Sequence, residues 1–115
     1  MPERDFTLYL TDILDSGNAI TEFVKGLSFE EFCNDRKTYS AVIREFEIIG
    51  EAVGKLPDEQ KMKRHDVEWQ DIKDFRNLLV HEYFGVDFEI VWKIIQDDLP
   101  CLVSAIREII KETTA

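Results

Sequence analysis

The stretch Asp74-Phe75-Arg76-Asn77-Leu78-Leu79-Val80-His81-Glu82-Tyr83-Phe84-Gly85 holds the side chains best suited to chemistry, and that chemistry is cleavage of a phosphodiester. A neutral imidazole such as that of His81 can accept the proton of a ribose 2′-hydroxyl while that oxygen attacks the adjacent phosphate, because an imidazole ordinarily titrates near pH 6.5. Cleavage is then expected to fall below about pH 6. The guanidinium of Arg76, always charged and forked, can hold phosphate oxygens as negative charge builds on them. Asn77 could position the phosphate or the histidine, and Tyr83 could donate a hydrogen bond or seat the scissile group. Asp74, seven residues before His81, is a supporting candidate, though that spacing suits a solvated pair better than a catalytic relay. No clustered carboxylate-and-histidine metal site is legible, which favours metal-independent RNA cleavage over a two-metal nuclease, with no cofactor.

On a helix turning about 100° per residue, Ile72, Phe75 and Leu79 cluster on one side with the ring of Tyr83, while Asp74, Asn77 and His81 form a separate polar line. Glu82 is turned away from that line. Arg76 lies close to the Tyr83 direction, and His81 is about 140° round from Arg76. One ideal helix therefore does not aim both groups at one phosphate. Either the helix distorts near Gly85, or a two-fold dimer sets a second copy alongside, so that Arg76 and His81 of both chains line one cleft. The dimer is the favoured arrangement, because it also concentrates positive groups locally.

Helices must carry this segment. Phe6, Leu10, Ile13, Leu14, Ile20, Phe23, Val24 and Leu27 recur at three- and four-residue steps, which predicts a helix of roughly 20 residues with Gly17 as its weak point. Ser28-Phe29-Glu30-Glu31 reads as a capping box opening a short helix. Asn34 or Asp35 can cap the next helix, striped by Tyr39, Val42, Ile43, Phe46, Ile49, Val53 and Leu56 and closed by Pro57. Gly50 predicts a close helix crossing, since glycine in mid-helix otherwise costs about 1 kcal/mol against alanine. The basic run Lys61-Met62-Lys63-Arg64-His65 reads as a solvated loop or short helix in preference to a phosphate-contacting edge. Helical periodicity resumes from Trp69 to Phe84, with Gly85 as its stop. Asp87 can cap a last helix along Phe88, Val91, Ile95, Leu99, Leu102, Ile106 and Ile109, which Pro100 should kink or break. Trp69 and Trp92 read as core or interface anchors.

The 115 residues make one domain, 1–115. Hydrophobic residues at 44% supply a core, while five Gly and three Pro are too few for the many tight turns of an all-β fold. The expected fold is all-α, an up-and-down bundle of four main helices plus short ones. Fourteen basic residues against 24 acidic give a net charge of −10, which excludes general DNA binding and makes any RNA contact local. No apolar run approaches the roughly 20 residues that span a bilayer, and no secretory leader is legible, so a cytoplasmic protein with no membrane partner is expected. Cys33 and Cys101 stand apart without companions at metal-ligand spacing and are expected to be buried thiols.

Arg76-x-x-x-x-His81-x-Tyr83 resembles the signature of the HepT-like toxins of the HEPN superfamily. The flanks are similar too, in order: Tyr39 to Arg44, Glu47 to Ala52, Trp69 to Ile72, Arg76 to Asp87, and Val91-Trp92 through Asp98-Leu99-Pro100. The resemblance spans essentially the whole chain. It implies a HEPN bundle that dimerises through the motif-bearing helices and acts as an endoribonuclease toxin on RNA. It implies Arg76 and His81 as the catalytic pair and Asn77 as the polar residue after the arginine. It also implies a partner, an antitoxin similar to a minimal nucleotidyltransferase, which uses ATP and magnesium to add AMP to Tyr83. Such an adduct would bring a phosphate and a bulky base to the cleft mouth, competing with RNA for Arg76 and obstructing His81. The competing expectation is a non-catalytic dimeric HEPN module that binds the nucleotidyltransferase. Assembly with that partner beyond a dimer stays open.

Overall fold

The computed structural model describes residues 5–81 and 86–114, and every regular element among them is helical. Helix α1 spans Phe6–Val24, opened by Asp5, whose carboxylate accepts from the Thr7 backbone N–H at 3.0 Å. It stops before its apolar stripe does. Gly26 takes φ +79°, a conformation that side chains resist, so the chain turns there and Leu27 falls outside the helix.

The capping box forms as the spacing predicts. Ser28 Oγ accepts from the Glu31 N–H at 3.1 Å, and Glu31 Oε1 accepts from the Ser28 N–H at 3.0 Å, which starts α2, Phe29–Asn34. Helix α3, Arg36–Lys55, is capped by Asp35 and not by Asn34. Both Asp35 oxygens accept from Thr38, one from its hydroxyl at 2.7 Å and one from its backbone N–H at 3.1 Å. The hydroxyl bond first, then the backbone bond, hold that carboxyl below its usual range. Helix α3 closes just ahead of Pro57, and the short α4, Asp58–Met62, carries the start of the basic run.

Helix α5, Trp69–His81, bears the polar line. Helix α6, Phe88–Lys93, is capped by Asp87 and passes through a π-helical turn, Ile94–Asp98, into α7, Leu99–Thr114. Pro100 therefore does not break the last helix. The Leu99 N–H reaches back five residues to the Ile94 carbonyl, and this widened turn absorbs the register change that a proline imposes one residue later.

The core sits where α1, α3 and α7 meet, with Leu10, Ile13, Val42, Ile49, Val53 and Ile106 almost wholly enclosed. Gly17 is a packing device and not a weak point. A Cβ there would stand 2.6 Å from Val103 Cγ2, so the bare backbone lets α1 lie close on α7. Helix α5 leans on α3 through Leu79 and through Phe75, whose ring meets Phe46 edge-on at 5.2 Å. Both tryptophans anchor the periphery: Trp92 packs on Phe32 at 5.2 Å, and Trp69 Nε1 donates to the carbonyls of Lys61 and Arg64. The cysteines depart from expectation. Cys33 is half-buried and Cys101 is exposed, because the latter falls off the stripe by which Leu99, Leu102 and Ile106 enter the core.

Candidate functional site

Arg76 is placed by a helix crossing. Its Cβ and Cγ lie directly over Gly50 of α3, where a methyl group would overlap the arginine stem and come within 2.5 Å of Cγ. The glycine that sequence alone marks as a close crossing is thus the seat of the candidate catalytic arginine. The seat buries part of the side chain: Arg76 Nε is shielded from solvent and has no acceptor among the described residues. Leaving such a donor unmade costs about 1–3 kcal/mol, a cost that comes with seating the arginine stem on Gly50.

The forward end of the guanidinium turns toward the polar line. Arg76 Nη1 donates to Asn77 Oδ1 at 3.3 Å, a long bond that steers more than it holds. Arg76 and Asn77 are therefore brought together. His81 closes α5 one turn beyond Asn77. Its imidazole, with Tyr83, Glu82 and Gly85, lies outside what the structure describes. Asp74 is exposed and its Oδ1 accepts from Gln70 Nε2 at 2.9 Å, so this carboxylate is engaged toward the start of the helix.

Apolar side chains that the stripe does not account for flank the polar line. Leu78 is 43% exposed and Val80 39%, and on the helix they bracket Asn77, His81 and Asp74 from either side. Neither was given a role from the sequence, where only the apolar side of Ile72, Phe75, Leu79 and Tyr83 and the polar line opposite were followed. The signal was present, since at about 100° per residue both lie roughly a quarter turn or more from the mean direction of Ile72, Phe75 and Leu79.

Within the basic run, Arg64 is committed to protein partners. Arg64 Nε and Nη2 grip the two carboxylate oxygens of Asp66 at 2.9 and 2.7 Å, and Nη1 reaches Glu108 of α7 at 2.7 Å. This charge is spent on clasping the α4–α5 connection to the last helix. Among the described residues no group of His, Cys, Asp or Glu is placed to hold a metal ion, and no helix is long and apolar enough to cross a membrane.

Comparison with known proteins finds relatives along nearly the whole chain. A Methanocaldococcus jannaschii protein provisionally named an RNase is 41% identical over 112 residues, covering 97% of this chain and 93% of its own. A Caldanaerobacter subterraneus protein with the same kind of name is 42% identical over 104 residues, 90% of this chain and 93% of its own. A Thermococcus cleftensis protein called a probable ribonuclease HepT is 40% identical over 100 residues, 87% of this chain and 91% of its own. No solved structure matches significantly. The family model described as ribonuclease HepT-like matches residues 13–109, and the chain belongs to that family.

Proposed function

We propose that the protein is a metal-independent endoribonuclease of the toxin kind, working as a homodimer whose two α5 helices line one RNA cleft. The observation that carries this reading is Arg76, seated on Gly50 with a buried, unpartnered Nε and a guanidinium turned toward Asn77. With Nε held at the crossing, the Nη end of the guanidinium, already turned toward Asn77, is the part that meets a phosphate oxygen. The exposed Leu78 and Val80 beside the polar line support burial of this helix face against a second copy.

In the reaction, the His81 imidazole takes the ribose 2′-hydroxyl proton, the 2′-oxygen bonds to phosphorus, and the bond from phosphorus to the 5′-oxygen breaks. The products are a 2′,3′-cyclic phosphate and a 5′-hydroxyl, the latter protonated by the imidazolium or by water. Arg76 offsets the charge that builds on the phosphoryl oxygens, and Asn77 orients it. Neutralisation follows when a nucleotidyltransferase antitoxin uses ATP to place AMP on Tyr83: the phenolic oxygen attacks the α-phosphorus and pyrophosphate leaves. The added phosphate then competes for Arg76.

Expression of the chain alone tests this directly. Growth arrest and EDTA-resistant RNA cleavage are expected, and both are lost in Arg76→Ala and His81→Ala. A folded, dimeric His81→Ala protein as toxic as the parent overturns the catalytic assignment. An AMP mass increment on Tyr83→Phe moves the modification elsewhere. The net charge of −10 favours one other reading, a dimeric module that binds the nucleotidyltransferase without cutting RNA. Complex formation with no cleavage by the free protein selects it.

A further inference from the structure

On the side of α5 away from the polar line, a cleft of about 240 Å³ opens between α3, α5 and the start of α7. Its floor is apolar, made by Phe46, Ile49, Ile72, Phe75 and Leu102, and Ile72 and Phe75 keep part of their surface uncovered. Its rim is acidic. Glu68, Asp71 and Asp98 border it, all exposed, and none of the three carboxylates meets a cation or hydrogen-bond donor among the described residues. The fourth carboxylate, Asp66, differs because Arg64 already grips it.

We propose that this cleft docks a segment of a partner protein that inserts one large apolar side chain and flanks it with lysine or arginine. An apolar floor ringed by unpaired carboxylates rewards that combination and no single half of it: the anchor is desolvated while the flanking cations find partners. RNA is turned away by the same rim. A second copy of this chain docking here about a two-fold axis would set one acidic rim against an identical one, which like-charge repulsion opposes.

The cleft is also built in advance. Its outer wall is the connection carrying Asp66, Val67 and Glu68. That connection is held by the Arg64 clasp to Glu108, by the Trp69 Nε1 bonds to the Lys61 and Arg64 carbonyls, and by the Val67 N–H to the Arg64 carbonyl at 3.3 Å. A partner therefore binds without having to order the wall first. Because the site lies across α5 from Asn77 and the His81 position, its occupation does not depend on the proposed RNA chemistry.

Cys101 lines the cleft and is exposed, so it reports occupancy. In a Cys33→Ser background, a fluorescein-labelled hexapeptide, Lys-Arg-Leu-Trp-Arg-Lys, is expected to bind saturably and to slow alkylation of Cys101 by iodoacetamide severalfold. The peptide with glutamate at all four basic positions is expected not to bind. The combined Glu68→Gln, Asp71→Asn and Asp98→Asn variant should weaken binding about tenfold, and Cys101→Lys, which plants a cation on the rim, should weaken it as well. Absence of saturable binding, equal affinity for the glutamate peptide, an unchanged affinity in the neutralised variant, or binding without protection of Cys101 overturns the proposal. Self-association that itself protects Cys101 overturns it too, and assigns the face to a second copy.

Discussion

Gly50 and Arg76 share a single contact: the arginine stem of α5 lies in the space that a side chain at position 50 of α3 would fill. The relationship ties the position of a catalytic candidate to one hydrogen atom in place of a methyl group. It also explains why a glycine stands in mid-helix despite its cost to helix stability.

Gly50→Ala should therefore go against helix propensity. The propensity gain is about 1 kcal/mol, while overpacking a filled crossing costs about 1–3 kcal/mol, so net destabilisation and displacement of Arg76 are expected. Gly54, one turn later, is the control. A Cβ there meets nothing closer than Lys73 Cε at 3.9 Å, so Gly54→Ala should stabilise by up to about 1 kcal/mol. Denaturant unfolding of both variants checks the pair, and the same sign for both would contradict the crossing.

Asn77→Asp should leave the fold intact and damage RNA binding. A carboxylate at this position would pair with the adjacent Arg76 guanidinium and hold it from phosphate, where Asn77 now offers only a 3.3 Å contact. An increase in KM of about tenfold with a smaller change in kcat is expected in cleavage assays. An unchanged KM would mean that Arg76 does not meet phosphate.

Leu78→Asp should separate the subunits of the proposed dimer. The residue is 43% exposed and so contributes little to the folded monomer, but a charge there opposes burial of the polar-line face against a second copy. Light scattering should report a monomer with an unfolding midpoint near that of the parent, and RNA cleavage should disappear with the dimer. An active monomer would show that one subunit suffices.

Removing the clasp with Arg64→Ala should lower the unfolding temperature by a few degrees at neutral pH. Acid should erase that difference. The hydrogen bond from Arg64 holds the Asp66 carboxyl below its ordinary 3.8. A folded value beneath the unfolded one gives stability that is complete above the unfolded value and lost as pH falls through the folded one. The gap between parent and variant should therefore be full at pH 6 and shrink progressively as pH falls below 3.8 in thermal melts. A gap independent of pH would assign the effect to packing by the arginine stem.

The α2 capping box, the Asp87 cap, the close of α3 before Pro57 and most of the apolar stripes of α1, α3 and α5 were legible along the chain, although the α3 cap was left between Asn34 and Asp35 and Phe23, read into the α1 stripe, is exposed. Each depends on residues within about one turn of one another, so local spacing carries the information. Three features escaped. The end of α1 follows a left-handed Gly26 although apolar periodicity continues to Leu27. Pro100 sits in an unbroken helix because a π-helical turn precedes it. Cys101 is exposed because it lies off the stripe of Leu99, Leu102 and Ile106, a position that the general tendency of cysteine to be buried overrode in the sequence reading.

The sequence by itself determined an all-α domain, the polar line of Asp74, Asn77 and His81 on one helix, and a resemblance that family membership bears out. What only the tertiary structure decided is which neighbour each polar group meets. Arg64 went to Glu108, 44 residues away, and not to a phosphate edge. Arg76 came to rest on Gly50, 26 positions earlier in the chain by their numbering. Periodicity sets which way a side chain faces along its own helix. Gly50 marks in the sequence that a close crossing occurs, but which helix crosses there, and which side chain lies at the crossing, follows from packing between segments distant in the chain.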